Sequence, residues 1–365
     1  MKIERVILSG GGTGGHIFPA VAIADEIKRR NPDVKILFIG AEGKMEMEKV
    51  PQAGYEIIGL PIVGLQRKLT LSNFALPFKI IKSMLKAKKV LKQFKPQIVI
   101  GVGGYASGPT LKAATMQRIP SVIQEQNAFA GKTNKLLATK VNKICVAYSG
   151  LERFFPADKI VMTGNPTRKE MVEIEGKREE ALAHFGLDPN KKTILIIGGS
   201  LGARTLNRSM IAHLEEIPQD VQVIWQCGKL YFEQIQNEIS EKLPENVKLM
   251  QFVQRMDLAY AVADQVISRA GAISVSELCI IGKPVILVPS PNVAEDHQTK
   301  NAMALVNEGA AELVKDVDAE KNLITRSLEL LNDNVASSQL ANNIKKLAKP
   351  NATADILNTI ESIIA

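Results

Sequence analysis

Cysteine is scarce in this 365-residue chain: Cys145, Cys227 and Cys279 stand far apart, with no Cys-x-x-Cys pair. That spacing argues against a disulfide framework or a thiolate zinc site and predicts buried free thiols. No apolar run approaches the ~20 residues of a membrane-spanning helix. The start, "MKIERVILSGGG", carries charges where a secretory leader would be apolar, so a cytoplasmic protein is expected. Acidic residues are missing from one long interval, with none between Glu56 and Glu125. The same interval holds Arg67, Lys68, Lys79, Lys82, Lys86, Lys88, Lys89, Lys92, Lys95, Lys112 and Arg118, so a formal net charge of +8 is unevenly spread.

What the chain does contain is a regular alternation of apolar β-rich runs and helical stretches. The runs go from "IERVILS" to "IVMTGN" in the first half and from "KTILIIGG" to "AELVK" in the second. Continuous Val/Ile/Leu runs, rather than strict alternation, suit strands buried on both faces of a parallel sheet. The second half restarts like the first. "RVILSGGGTGGHIFPAVAIADEI" and "TILIIGGSLGARTLNRSMIAHL" each read strand, glycine turn, helix. The expected fold class is α/β, with two doubly wound parallel-sheet domains. The turn-rich segment after "GNPTR" puts their boundary near Gly164–Arg168.

Four glycine turns join a strand to a helix: Gly10–Gly15, Gly101–Pro109, Gly198–Arg204 and Ser268–Glu277. Such turns let backbone approach a ligand, and helix starts attract anions. Four of them, split between two domains, favour a ligand held in a cleft. Gly10, Gly12 and Gly15 satisfy the dinucleotide pattern G-x-G-x-x-G. That reading also needs an acidic residue ~20 positions further on. Glu42 comes late, and His16 is bulky where a dinucleotide fold packs small residues. An NAD-dependent oxidoreductase is therefore a remote alternative.

Other polar clusters sit at strand ends. Ser274, Ser276 and Glu277 open a helix, where a carboxylate can accept both hydroxyls of a ribose; a helix cap is the plainer reading. Arg168 and Ser200 are natural donors to a diphosphate. Glu125 and Asn127 follow a buried strand. "DHQTKNA", Asp296 to Ala302, reads as a capped helix start. "DVD", Asp316 to Asp318, resembles an Asp-x-Asp metal clamp, but it follows the last strand, away from the glycine turns, and reads as a charged turn.

In the acid-free interval, "PFKIIKSMLKAKKVLKQF" puts Ile80, Met84, Ala87, Leu91 and Phe94 on one helical face. Lys79, Lys82, Lys86 and Lys89 form a second stripe. A core-packed helix with solvated lysines explains this much. Just upstream, however, come Leu65, Arg67, Lys68, Leu69, Leu71, Phe74, Leu76 and Phe78. Together they read as a patch for anionic phospholipid of the inner leaflet. Nucleic acid is not expected, because Arg and interleaved Tyr or Trp are scarce here.

"GGTGGHIFPA", "GVGGYASGP", "EQNAFAGKTN", "GNPTR", "GGSLGAR", "SRAGAISVSEL" and "DHQTKNA" appear in an order that resembles the bacterial peptidoglycan GlcNAc transferases, the MurG family. The resemblance runs from about Val6 to Ala302 and implies the GT-B fold, two Rossmann-like domains facing a cleft. Residues 1–165 would bind acceptor and membrane and residues 166–345 would bind UDP-GlcNAc. Residues 346–365 would form a helix returning to the first domain. It implies an inverting transfer of GlcNAc from UDP-GlcNAc to the C4 hydroxyl of MurNAc in lipid I, giving lipid II, with no essential metal or other cofactor. The protein would sit peripherally on the cytoplasmic side of the membrane, serving cell-wall growth, cell shape and division, with cell-wall synthesis proteins as partners.

Residue by residue, the resemblance assigns donor contacts to Thr13, Gly14, Gly15, Asn127, Arg168, Ser200, Val253 (through its backbone), Ala272, Ile273, Ser274, Glu277 and Gln298. His16 would be the base, with Asn127 and Glu125 in the catalytic set and Gly103, Gly104 and Tyr105 on the acceptor diphosphate. Gln124, Leu201 and Ala270 depart from the commonest pattern, where His, Gln and Ser stand. A hydrolysing UDP-GlcNAc 2-epimerase of the same architecture is the alternative reading.

Overall fold

A computed structural model of the protein describes residues 3–62, 76–167 and 172–364. Arg168 and the patch residues Leu65, Arg67, Lys68, Leu69, Leu71 and Phe74 lie outside the described residues. The chain divides into two compact units, Met1–Thr167 with Asn351–Ala365, and Arg168–Pro350.

In the first unit the strands are β1 (Arg5–Ser9), β2 (Lys35–Ala41), β3 (Glu56–Leu60), β4 (Ile98–Gly101), β5 (Ser121–Glu125), β6 (Lys143–Val146) and β7 (Ile160–Met162). They form a parallel sheet in the order β3-β2-β1-β4-β5-β6-β7. Its helices are α1 (Gly14–Arg30), α2 (Glu46–Gln52), α3 (Leu76–Phe94), α4 (Ser107–Met116) and α5 (Lys132–Leu137). The branched side chains of β1 and β4 are shielded on both faces, as their unbroken apolar runs require.

The second unit repeats the plan. Its strands are β8 (Lys192–Ile197), β9 (Val221–Gln226), β10 (Val247–Met250), β11 (Gln265–Ser268), β12 (Val285–Leu287) and β13 (Glu312–Leu313), in the order β10-β9-β8-β11-β12-β13. The helices are α6 (Arg178–Phe185), α7 (Arg204–Ala212), α8 (Phe232–Ile239), α9 (Met256–Val262), α10 (Ala272–Ile281), α11 (His297–Val306), α12 (Asp316–Asn332) and α13 (Asn334–Lys346). Both sheets reverse direction beside their first strand, between β1 and β4 and between β8 and β11. In doubly wound sheets, ligands bind at the carboxyl ends of the strands at this switch point. All four glycine turns found in the sequence fall there.

The last helix, α14 (Ala352–Ile364), belongs to the first unit. Ile356, Leu357 and Ile360 share a core with Val6, Leu8 and Cys145. Arg30 pins the outer face, its Nη1 donating to Glu361 at 2.9 Å and Asn358 at 2.8 Å.

Helix α3 departs from its expected face. Ser83, Ala87, Val90 and Leu91 are buried, whereas Ile80 is 38% exposed, together with Phe78, Ile81 and Leu85 at 76%, 56% and 63%. The core therefore holds only the later turns of α3, and the earlier turns leave an apolar surface beside Lys79 and Lys82. Lys86 ion-pairs with Glu42 at 2.8 Å, so an acid from the β2–α2 loop enters the interval that lacks acids in sequence. Of the lysine stripe, Lys86 thus contributes least to the positive field.

All three cysteines are buried free thiols. Burial pushes Cys145 and Cys279 up to about 12 and Cys227 up to about 11. The thiolate is the reactive form, so at pH 8 a native sample incubated with a thiol-specific disulfide reagent is expected to stay essentially unmodified. In denaturant all three should react at once. Rapid native labelling at pH 8 would show that one thiol is accessible and ionised.

Candidate functional site

At the switch point of the first unit, the β1–α1 and β4–α4 turns are pressed together. A Cβ on Gly104, at φ +82°, would come within 2.3 Å of the Gly11 carbonyl oxygen. One on Gly103, at φ +94°, would come within 2.8 Å of the His16 ring. Both positions therefore need glycine, for their backbone angle and for the close approach. Thr13 is the extended N-cap of α1, and its carbonyl accepts from the His16 and Ile17 N–H groups at 3.1 and 3.2 Å. Thr13 and Gly15 are exposed, Gly14 and His16 half-buried, and Tyr105 is 49% exposed at the rim.

Glu46 is the residue that local reading overlooks here. It is 1% exposed, and its carboxylate accepts from the Gly12 N–H at 2.8 Å and the Ala41 N–H at 2.9 Å. A carboxylate thus lies beneath the glycine turn and consumes an N–H that a bound pyrophosphate would need. That is a stronger objection to dinucleotide binding than the late position of Glu42. The available signal was weak: Glu46 reads as an ordinary first-turn acid of α2.

The loop after β5 is organised by Glu125, which is 1% exposed. Its Oε1 accepts from the N–H of Asn127 at 3.2 Å, and its Oε2 from the N–H of Gly131 at 3.0 Å and from Asn134 Nδ2 at 2.8 Å. These bonds tie the Glu125 carboxylate to the loop that it precedes, so it shapes the backbone around Asn127. It holds Asn127 half-exposed near the loop that carries Gln126, whose Oε1 meets His16 Nδ1 at 3.0 Å.

In the second unit, the turn after β8 leaves Ser200 exposed. Gln226, itself 3% exposed, ties this turn to the one after β10, donating from Nε2 to the Gly199 carbonyl at 3.1 Å and accepting from the Val253 N–H at 2.8 Å. Of the two backbone groups of Val253, the N–H is therefore spoken for, and a base read through this residue would have to meet its carbonyl.

Helix α10 starts at Ala272 behind Gly271, with no side chain capping it. Ile273 and Ser274 are half-buried in its first turn, and Glu277 is 8% exposed, accepting from the Tyr260 hydroxyl at 3.2 Å. Glu277 therefore lies in the second turn rather than acting as a cap. Gln298, in the first turn of α11, accepts from the Ser290 N–H at 2.8 Å through its amide oxygen.

Two expectations about this unit need correction. Asp296 caps no backbone N–H of α11; its carboxylate accepts from the Thr299 hydroxyl at 2.7 Å. Asp296 and the preceding Glu295 are both left-handed, at φ +51° and +54°, an unfavourable backbone for residues with side chains and one that clusters at ligand-binding turns. Asp316 is not a turn remote from the glycine loops. It begins α12, and its carboxylate accepts from Arg269 and, at 3.0 Å, from the Thr205 hydroxyl. The "DVD" aspartate is thereby a clasp between the β11–α10 turn and the first turn of α7. Among the described residues, no three His, Cys, Asp or Glu side chains are grouped to hold a metal.

Comparison with known proteins places these features in a family. Residues 6–146 match the glycosyltransferase family 28 N-terminal domain, and residues 193–359 its C-terminal domain. A UDP-N-acetylglucosamine–N-acetylmuramyl-(pentapeptide) pyrophosphoryl-undecaprenol N-acetylglucosamine transferase of Flavobacterium psychrophilum is 57% identical, covering 100% of this chain and 99% of that protein. The protein of the same name in Parabacteroides distasonis is 55% identical over 100% of this chain and 99% of its own length. Among solved structures, Acinetobacter baumannii MurG is 30% identical with a TM-score of 0.81, covering 98% of this chain and 99% of that one. The UDP-GlcNAc 2-epimerase of Neisseria meningitidis, at 18% identity and a TM-score of 0.67 over 99% and 100%, shares the fold alone.

Proposed function

The chain belongs to glycosyltransferase family 28, and from that membership we infer that it transfers GlcNAc from UDP-GlcNAc to undecaprenyl-pyrophosphoryl-MurNAc-pentapeptide (lipid I), giving lipid II for peptidoglycan synthesis. The observation that carries this is the full-length 57% identity to a transferase of that name. The epimerase reading rests on shared GT-B architecture, which does not specify chemistry.

The mechanism is an inverting single displacement. The C4 hydroxyl of the acceptor attacks the anomeric carbon while UDP departs from the opposite face. The second unit holds the donor: the Val253 carbonyl meets the uracil, Glu277 the ribose hydroxyls, Gln298 the sugar, and Ser200, Arg168 and the start of α10 the diphosphate. N–H groups at glycine turns and helix starts offset the charge of the leaving group, and no protein-bound metal is required. The first unit holds the acceptor. Gly103, Gly104 and Tyr105 flank its diphosphate, Thr13 to Gly15 and Asn127 meet the transferred sugar, and His16 takes the hydroxyl proton.

Among the described residues no helix is long and apolar enough to cross a membrane. The exposed Phe78, Ile81 and Leu85 beside Lys79, Lys82 and Lys89 support peripheral docking on anionic phospholipid at the cytoplasmic face, at ~1 kcal/mol per basic residue near the surface. Roles in cell shape and division, and contacts with other cell-wall synthesis proteins, follow from the same reading.

The test supplies radiolabelled UDP-GlcNAc with a lipid I analogue in anionic or zwitterionic vesicles. Label should enter the lipid, faster on anionic vesicles and less so as salt rises. Release of UDP without acceptor, or no lipid-dependent transfer, would overturn the reading.

A further inference from the structure

Three side-chain amides lie in series behind His16. Asn165 donates from Nδ2 to the Gln126 carbonyl at 3.0 Å, and its Oδ1 accepts from Gln124 Nε2 at 2.9 Å. Gln124 Oε1 in turn accepts from Gln126 Nε2. Gln126 Nε2 also faces two main-chain carbonyls, Val102 at 2.9 Å and Gln124 at 3.0 Å. Asn165, Gln124 and Gln126 are 2%, 0% and 1% exposed, so water does not compete for these bonds.

Carbonyl oxygens can only accept, so the Gln126 amide has one permitted orientation. A flip would face its oxygen toward two carbonyls in a buried setting, at a cost of several lost or repulsive hydrogen bonds. With Nε2 committed inward, Oε1 is what it presents to His16 Nδ1 at 3.0 Å. An amide oxygen cannot donate, so the imidazole must carry its proton on Nδ1.

We propose that Gln126, held by Gln124 and Asn165, is a positioning residue that fixes neutral His16 in the Nδ1–H tautomer and so keeps Nε2 as the proton acceptor. This rests on the reading of His16 as the base and deepens it. A carboxylate is the usual partner of a catalytic histidine, and it would raise the imidazole pKa. A neutral amide sets the same tautomer without adding that charge. The residue before Glu125 is the non-titrating Gln124.

The two buried carboxylates on the packed elements have partners of their own. Glu125 is engaged by Asn127, Gly131 and Asn134, and Glu46 by Gly12 and Ala41. Tyr105 is at the rim, Lys132 begins α5, and the first turn of α1 has no acid.

The measurement is long-range ¹H–¹⁵N correlation on ¹⁵N-histidine-labelled full-length protein above the His16 pKa. The chain has four histidines, and the spectrum of His16→Gln assigns this one. The expected spectrum has a protonated Nδ1 and an imine-type Nε2; an Nε2–H signal or an even tautomer mixture overturns the proposal. Gln126→Met should abolish the preference and lower kcat about tenfold with donor KM within twofold. Gln126→Glu should move the acid limb of the kcat profile up by roughly one to three pH units, as a carboxylate neighbour does. An unmoved limb in a folded Gln126→Glu protein would refute the relay. The wild-type spectrum needs no turnover, so it judges the tautomer even if His16→Ala shows that another group is the base.

Discussion

Replacing His16 by alanine should lower kcat by about 10²–10⁴-fold, the usual worth of a positioned general base, with donor and acceptor both saturating. At ~1.4 kcal/mol per decade this is roughly 3–5 kcal/mol of lost transition-state stabilisation. Donor binding should hardly change, because the proposed uridine contacts lie in the second unit. The fold should tolerate the change, since His16 is half-buried in the first turn of α1 and the helix core is carried by Ile17, Ile23 and Ile27. Turnover under double saturation, with UDP affinity measured alongside, is the check. Near-normal kcat would remove His16 from the chemistry and leave it a residue that orients sugar or diphosphate.

Glu277→Ala should act on the other substrate. A hydrogen bond to a charged group contributes about 1.5–3 kcal/mol, so donor KM should rise roughly 10- to 100-fold with kcat less affected. The sharper readout compares UDP-GlcNAc with its 2′-deoxyuridine analogue. Wild type should penalise the analogue, and the variant should treat the two nearly alike. Truncation also removes the acceptor of the Tyr260 hydroxyl, which is in a buried setting. A thermal melt and a Tyr260→Phe protein separate that structural cost from the ribose contact. If Glu277→Ala still discriminates between the two donors, the carboxylate does not read the ribose.

The turns that make up the candidate site were legible because they are local. A glycine turn between an apolar strand and a helix can be read from a dozen residues, and in a doubly wound sheet such turns gather at the strand ends. Glu277 follows the same logic, as a carboxylate one helical turn past a loop. Helix α3 shows where locality fails. Its heptad-like apolar positions marked Ile80 as core, yet the neighbouring structure covers only the later turns, and Ser83 is buried while Ile80 is not.

The sequence by itself determined the two parallel sheets, the four glycine turns and the buried thiols, since each follows from the periodicity or composition of a short segment. Tertiary structure decided what lies behind the turns. Glu46 reaches Gly12 across 34 residues, Asp316 reaches Arg269 across 47, Gln226 reaches Val253 across 27, and Gln126 reaches His16 across 110. Each is a buried or half-buried polar group whose partner is chosen by strand order, because a desolvated donor or acceptor must be satisfied by whatever the topology brings alongside it. Short-range pattern carries no record of that neighbour, and here those neighbours hold the glycine turns and meet the His16 ring.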